Sequence, residues 1–405
     1  MTEQISFDAL ADKYLPLFAR IAEGALDRER RRTLPAEQIG WLTQAGFTGV
    51  RVPAEFGGDG ASLPQLFRLL VALASADPHI AQALRGHFAF VEDRLYAPHG
   101  DNRSLWLRRF AAGELVGNAV TEIGSVGLGE VQTTLERAAG DLTITGRKYY
   151  TTGSIFADWI DTWAGGPAGD EVAALVSTDS TRVTVTDDWT GFGQRLTGSG
   201  TAVFDAAPVQ HDHVYDWTER FPYQTAFYQL VLVSVSAGIA RAAVDDGIRQ
   251  ITTRARAFSH GNGTETRHDP QVLESIGRLA AQATAAEAIT VQAAEALQGC
   301  FDARGGTEEL IAERKKIAEI RSAEAQLVAT RASLEAATQL FEGLGASAVS
   351  TDLLLDRHWR NARTVASHNP VAFKARIIGD FLVNGTEPPY EWTIGIVKRD
   401  AKTER

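Results

Sequence analysis

Residues 142–151, LTITGRKYYT, decide how the chain is divided. Leu142, Ile144 and Gly146 alternate with Thr143, Thr145 and Arg147, the period of a half-buried strand. Ala139-Gly140-Asp141 stands before them and reads as a hairpin turn joined to a preceding strand at 133–138. Further short apolar runs lie at 115–121, 159–164, 172–176, 183–185 and 202–204, separated by Gly, Asp and Pro. Repeated short strands of this kind predict an antiparallel sheet or barrel. A β domain therefore spans residues 115–215.

Both flanks have helical texture. Phe7, Leu10, Tyr14, Leu15, Phe18 and Ile21 recur at helical spacing, which predicts one helix over 5–32 whose basic end, residues 28–32, is solvated. Pro35 opens a second helix, residues 50–60 read as a Pro- and Gly-rich loop, and helices follow over 63–76 and from Pro78. Beyond the sheet, residues 223–258, 271–301 and 307–342 are long, Ala-rich and well charged. Ala is the best helix former, and helices of this length suit an antiparallel bundle. The organisation is thus helical at 1–114, β at 115–215 and helical at 216–405.

Composition excludes several classes. The chain of 405 residues has a formal net charge of -11 and no dense Lys/Arg face, which argues against nucleic acid. Its single cysteine, Cys300, excludes a disulfide framework and a multi-Cys metal site, and no metal is expected. The N-terminal segment is amphipathic and charged, without a signal-peptide pattern. No uncharged apolar run is long enough to span a bilayer. No membrane association and a cytoplasmic location are the expectations.

One basic stretch stands out against this acidic balance: residues 357–374, RHWRNARTVASHNPVAFK. Asn369-Pro370 reads as an N-cap followed by proline at the first helical position. His368 would then sit just outside a helix N-terminus, whose dipole favours neutral imidazole. A neutral His facing a pocket serves as hydrogen-bond partner, acid or base.

The α–β–α order resembles the acyl-CoA dehydrogenase superfamily over nearly the whole chain. That resemblance implies an α+β fold with an N-terminal helical domain, a central antiparallel β domain and a C-terminal four-helix bundle. Local motifs are similar to its flavin-dependent monooxygenase branch, typified by the dibenzothiophene monooxygenases: Val52-Pro53-Ala54-Glu55-Phe56-Gly57-Gly58, Gly117-Asn118-Ala119, Gly146-Arg147-Lys148 through Thr152-Gly153, Asp187-Asp188-Trp189, Ser199-Gly200, and Trp359-Arg360-Asn361-Ala362-Arg363-Thr364 with His368-Asn369-Pro370-Val371 and Lys374.

The resemblance implies a two-component enzyme. A separate reductase supplies reduced FMN, with FAD as the alternative flavin. O₂ then reacts to give a C4a-hydroperoxyflavin that oxygenates a small, aromatic or heteroatom-containing molecule. It places Asn118, Thr152 and His368 at the flavin's reactive edge. Thr121, Ser125, Thr152, Trp189 and Arg363 are implied as flavin contacts, and Arg256 as a phosphate ligand offered by a neighbouring subunit of a homotetramer. Gln82, Gly86 and His87 are expected at the substrate pocket. The sequence departs from the branch at four positions: Gln82 replaces a His, Gly86 an aromatic hydroxyl, Ser347 an Arg and Asn369 an Asp. Two other readings stay open here. An acyl-CoA dehydrogenase needs a carboxylate base; residues 366–369 hold none, which leaves Glu219 or Asp245. A non-catalytic flavin-binding homologue is the second, kept open by Gly86 and Ser347.

Overall fold

Twelve α-helices and eight strands form the described part of the chain, residues 5–124, 126–392 and 395–396 of the computed structural model. Seven helices come first: α1 (Phe7–Glu23), α2 (Ala25–Arg31), α3 (Ala36–Gln44), α4 (Leu63–Ala76), α5 (Pro78–Ala83), α6 (Arg85–Tyr96) and α7 (Asp101–Ala111). Leu10, Tyr14, Phe18 and Ile21 of α1 are buried, as their spacing requires. Ser62 and Gln65 form a capping box on α4, and the Asp77 side chain caps α5 with Pro78 in its first turn.

The first helix does not run unbroken to residue 32. It divides at Gly24, where a Cβ would stand 2.8 Å from Arg28 Nη1. That space lets Arg28 fold back onto the Ile21 carbonyl at 2.7 Å and pair with Asp77 at 2.8 Å. The expected solvated end is therefore partly core: Arg28 and Glu29 are both buried.

The strands are β1 (Val116–Ala119), β2 (Thr134–Ala138), β3 (Asp141–Tyr149), β4 (Trp159–Gly165), β5 (Glu171–Ser177), β6 (Val183–Thr186), β7 (Thr201–Val209) and β8 (Val214–Asp216). They form one sheet in the order β6-β7-β3-β2-β4-β5-β8, with β1 paired to β4. The pairing is antiparallel except at β4, which has β1 and β2 as parallel neighbours. In the β1–β4 register Asn118 stands opposite Asp161. Leu135, Ile144, Ile160, Val172 and Phe204 fill the sheet's own core.

The C-terminal part comprises α8 (Gln224–Thr253), α9 (Pro270–Asp302), α10 (Glu308–Gln339), α11 (Asp356–Ala366) and α12 (Lys374–Asn384). The first three pack on one another, α11 lies on α8 and α10, and α4 packs on α8 and α9, so the two helical parts share one core. By length and composition α8 could cross a membrane, which qualifies the expectation of no such run. Its most apolar window is 83% buried within the fold, as befits a central bundle helix. It ends at Thr253, short of the expected 258, so Arg256 lies beyond it in exposed coil.

The reading of residues 366–374 needs correction. His368 follows the C-terminus of α11, with its N–H donating to Val365 O at 3.2 Å. A short 3₁₀ turn occupies Val371–Phe373 and α12 begins only at Lys374. Asn369 does not cap a helix. Its amide donates to Gln229 Oε1 at 2.6 Å, and its carbonyl accepts from Gln326 Nε2 at 2.9 Å. Tertiary partners on α8 and α10 outcompete the local cap.

Candidate active site

Four pieces of chain converge beside the β1–β4 pair: the α5–α6 corner, the Thr152–Gly153 turn after β3, α8 at Tyr228–Gln229, and the turn after α11. The Thr152 turn is pressed against α5. Gly153 has φ +81, and a Cβ there would come within 2.0 Å of the Ala83 carbonyl, so only glycine permits this approach. Gly86, near the start of α6, is pressed against Asn118. A Cβ at position 86 would lie 2.7 Å from Asn118 Oδ1. Residues 82–86 thus bridge Thr152 on one side and Asn118 on the other.

The polar atoms collected there are incompletely bonded. Asn118 Oδ1 and Gln82 Oε1 are buried and have no hydrogen-bond partner among the described residues. Orphaned buried acceptors are rare and point to a missing donor. Thr152 is 4% exposed, and its backbone N–H has no acceptor among the described residues. Its hydroxyl lies 2.6 Å from Ser199 Oγ, which lies 2.8 Å from Thr197 Oγ1. Thr197 donates to the Gln194 carbonyl at 3.0 Å. The carbonyl only accepts, so the chain is directional: Ser199 donates to Thr197, and Thr152 donates to Ser199. Thr152 therefore keeps a hydroxyl lone pair and a backbone N–H free for a ligand.

His368 is joined to this group through Arg85. Arg85 Nη1 lies 3.2 Å from His368 Nε2. A guanidinium donates only, so Nε2 is the acceptor and the imidazole proton sits on Nδ1, which faces Asn369 Oδ1 at 3.4 Å. Surrounding protein and the Arg85 charge hold His368 down at about 3, so it is neutral at pH 7. The expected neutrality is present, but the causes are the protein packed around the ring and the Arg85 charge rather than a helix N-terminus. The side chain nevertheless remains open to solvent, as a residue facing a cleft must.

Residues that the sequence did not single out complete the wall. Arg85 donates through Nε to the Tyr228 carbonyl at 3.1 Å, and its guanidinium carbon stands 4.5 Å from the Tyr228 ring centroid. Burial pushes the Tyr228 hydroxyl up to about 12. Asp161 of β4 is buried and ion-paired to Arg220, which also reaches Asp93 at 3.4 Å. A signal for Asp161 existed in the sequence: a lone acid inside the apolar strand WIDTWAG. Arg85 lies three residues beyond Gln82, but the helix break at Leu84 obscured their kinship. Tyr228 gave no signal within the apolar run of α8.

The other expected site residues fall in several places. Trp189 donates through Nε1 to Gly193 O at 3.1 Å and meets Tyr150 edge-on, with centroids 5.9 Å apart. Gly193 abuts Arg360 and Thr364 of α11, so Trp189 links the Thr152 turn to that helix. Arg363 is half-buried, and its guanidinium has no partner among the described residues. Thr121 follows β1 and accepts the Tyr149 N–H at 3.0 Å, with its hydroxyl free. Ser125 lies outside the described residues. Arg256 and Ser347 are exposed.

His87 is a correction: it lines no pocket. It is 1% exposed, its Nδ1 accepts the Val116 N–H at 3.3 Å, and its Nε2 donates to the Thr48 carbonyl at 2.9 Å. Burial holds it neutral, at about 4. It fixes α6 against β1. The carboxylates weighed as dehydrogenase bases are also displaced. Glu219 is exposed, at a cavity of about 920 Å³ beyond Arg220 that holds none of the expected site residues. Asp245 stands roughly 25 Å along α8 from Tyr228 at 1.5 Å per residue. Among the described residues no three His, Cys, Asp or Glu side chains are grouped to hold a metal.

Known proteins share this architecture. The family model "Acyl-CoA dehydrogenase, N-terminal domain" matches residues 9–114, and "Acyl-CoA dehydrogenase, C-terminal domain" matches residues 230–373. A probable FMNH2-dependent monooxygenase, SfnC of Pseudomonas putida, is 26% identical over 385 residues, covering 92% of this chain and 94% of its own. The dibenzothiophene monooxygenase of Mycolicibacterium goodii is 28% identical, covering 90% and 91%. The structure of TdsC from Paenibacillus sp. A11-2 with FMN and indole superposes with a TM-score of 0.85 at 28% identity, covering 95% of this chain and 98% of that one.

Proposed function

Because the chain belongs to the acyl-CoA dehydrogenase family, we propose that it is an FMNH2-dependent monooxygenase acting on a small organic molecule. The observation that carries this reading is the cluster of under-bonded polar groups at the α5–α6 corner. Asn118 Oδ1, Gln82 Oε1 and the Thr152 N–H all lack protein partners there, and a neutral His368 faces the same space.

These groups fit a flavin. Thr152 offers an N–H and a hydroxyl lone pair, and Asn118 an amide, to a flat ring rich in carbonyl and nitrogen edges. Trp189 offers an aromatic face, Thr121 a hydroxyl and Arg363 an unpaired guanidinium for phosphate. When bound, reduced FMN supplies the two electrons that let one oxygen atom of O₂ enter the substrate while the other leaves as water. Arg85 fixes the tautomer of His368, which leaves the proton on Nδ1, facing Asn369 Oδ1. Asn369 and the α8 and α10 glutamines that bind it hold the His368 turn in place.

A separate reductase supplies the reduced flavin, a reading supported by the Pseudomonas putida relative, whose name specifies FMNH2. The assembly is a homotetramer in which Arg256, exposed beyond α8, reaches a neighbouring subunit's flavin phosphate. A reducing cytoplasm suits the single buried thiol of Cys300.

Anaerobic titration with FMNH2, followed by O₂ and a panel of sulfur, nitrogen and aromatic compounds, tests the reading. Micromolar FMNH2 affinity and transfer of label from ¹⁸O₂ into product are expected. Absence of flavin affinity, or rapid reduction of bound oxidised flavin by an acyl-CoA, would overturn it.

A further inference from the structure

Six buried or half-buried arginines around this part of the molecule share one habit, which the buried Arg103, bonded to His99, lacks. Arg28 pairs with Asp77, Arg51 with Glu92, Arg94 with Asp93, and Arg220 with Asp161 and Asp93. Arg357 pairs with Asp246 and Arg360 with Glu29. Arg85 departs from it. Its Nε goes to a backbone carbonyl and one Nη1–H to His368. Both Nη2 N–H groups and the second on Nη1 have no acceptor among the described residues.

No neighbour supplies the missing negative charge. His368 is neutral, with its lone pair already accepting from Arg85. The Tyr228 hydroxyl, pushed up to about 12, is un-ionised at pH 7. Asp161, the acid on the adjoining strand, is held by Arg220. Burial lowers Arg85 to about 10, which still leaves it a cation at neutral pH. A charge partly withdrawn from water without a counter-charge is costly, and an anionic ligand would relieve that cost. A guanidinium with a free N–H fork matches a planar oxyanion bidentately.

We propose that Arg85 is a specificity-determining residue that receives an anionic head group, a carboxylate or a similar oxyanion, on the substrate. Its place between Tyr228 and His368 directs that group to the α5–α6 corner, beside α8 and the turn after α11. This assignment rests on the oxygenase reading for its meaning as substrate recognition. The same chemistry has a second source in the flavin, through its phosphate or its reduced ring, and the test separates the two.

Benzoate and benzamide are near-isosteric and differ in charge, so they serve as probes. Calorimetric titration of each into the chain, with and without saturating FMN, is compared for wild type, Arg85→Gln and Arg85→Lys. Wild type should bind benzoate at least tenfold more tightly than benzamide, and the preference should shrink in 0.5 M NaCl. Arg85→Gln should abolish the preference with benzamide and FMN affinity unchanged. Arg85→Lys should keep part of it and guards against a variant that fails to fold. Equal wild-type affinity for the two probes, or no benzoate binding, overturns the proposal. So does an equal loss for both probes in Arg85→Gln, which means scaffolding. Weakened FMN binding with the preference intact assigns Arg85 to the flavin instead. Wild type that holds no FMN defeats the oxygenase reading alone, because the flavin-free titration still decides the anion preference.

Discussion

His368 carries its proton on Nδ1 because Arg85 occupies the other ring nitrogen. Removing the imidazole takes away a hydrogen-bonding group at the cleft wall without emptying the core, since the side chain faces solvent. His368→Ala should therefore unfold within about 0.5 kcal/mol of wild type, as surface changes do. It should bind FMN normally and lose most product formation while still consuming reduced flavin and O₂. Product yield per flavin oxidised is the measurement, and an unchanged yield would refute the role. Gly86 makes the opposite case, where the smallest addition matters. The Cβ of Gly86→Ala would meet Asn118 Oδ1 at 2.7 Å and Asn118 Cβ at 3.0 Å. Overpacking of this kind costs about 1–3 kcal/mol. Thermal unfolding should show it, and FMN affinity should fall with it as Asn118 moves. The sequence alone identified Gly86 as lacking an expected aromatic hydroxyl, but not what uses the space. That needed the distance between α6 and β1, which no local pattern records. For the same reason His87, Gln82 and Gly86 looked equivalent on one helix, while the structure assigns His87 to backbone anchoring.

At the scale of elements, α11 is the clamp that brings the His368 turn to the site. Arg360 reaches back to Glu29 of α2 at 2.9 Å, and Glu29 meets His79 at 2.6 Å. His79 faces a second acceptor, Gln194 Oε1, at 3.1 Å. With acceptors at both ring nitrogens His79 is an imidazolium, and its pKa is raised despite burial because Glu29 and Asp77 oppose the desolvation. Glu29 is lowered to about 2; burial works against that shift, and His79 and Arg360 outweigh it. The Glu29 contribution is present above its unfolded value of 4.5 and is lost as pH falls towards about 2. The His79 contribution is present below 6.5 and is lost as pH rises through its elevated folded value. The clamp is strongest between those limits. Glu29→Gln should destabilise by about 3–5 kcal/mol at pH 5.5, since it leaves the buried His79 imidazolium without its carboxylate. The gap to wild type should narrow at a second, higher pH above the elevated His79 value, where the ring is neutral. Urea unfolding at both pH values checks this, and an equal gap would remove the imidazolium assignment. The helices themselves were legible: α4 runs over the residues that its periodicity and caps indicate, and α9 and α10 begin within one residue of expectation. The division of α1 from α2 was not, because it depends on Arg28 meeting Asp77, 49 residues away. The arginines and the histidine of residues 357–363 looked like a basic patch. Arg357, His358 and Arg360 instead face Asp246 and Glu29, partners that lie far away in sequence.

Taken whole, the molecule places its site where three layers meet, and one of the expected flavin ligands cannot come from the same layer. Arg256 lies in exposed coil past the end of α8, on the bundle. Asn118 and Thr152 belong to the sheet side. The α–β–α order was readable because the period of hydrophobic residues changes from 3.6 to 2 and back; how copies of such a chain meet has no period. The surface carries the signal instead. Leu382 is 70% and Val383 81% exposed on the last turn of α12, and Phe373 is 49% exposed just before that helix. Grouped exposed apolar side chains mark association surfaces. Light scattering on wild type should give the mass of a tetramer, and Leu382→Asp with Val383→Asp should give a smaller species that remains folded by circular dichroism. If each flavin site borrows Arg256 from a neighbour, that smaller species should bind FMN at least tenfold more weakly. Arg256→Ala should reproduce the weakening with the mass unchanged. The two variants separate assembly from ligation: a dissociated chain with full FMN affinity would show that each subunit builds its site alone, with Arg363 as the phosphate ligand that its unpaired guanidinium already allows.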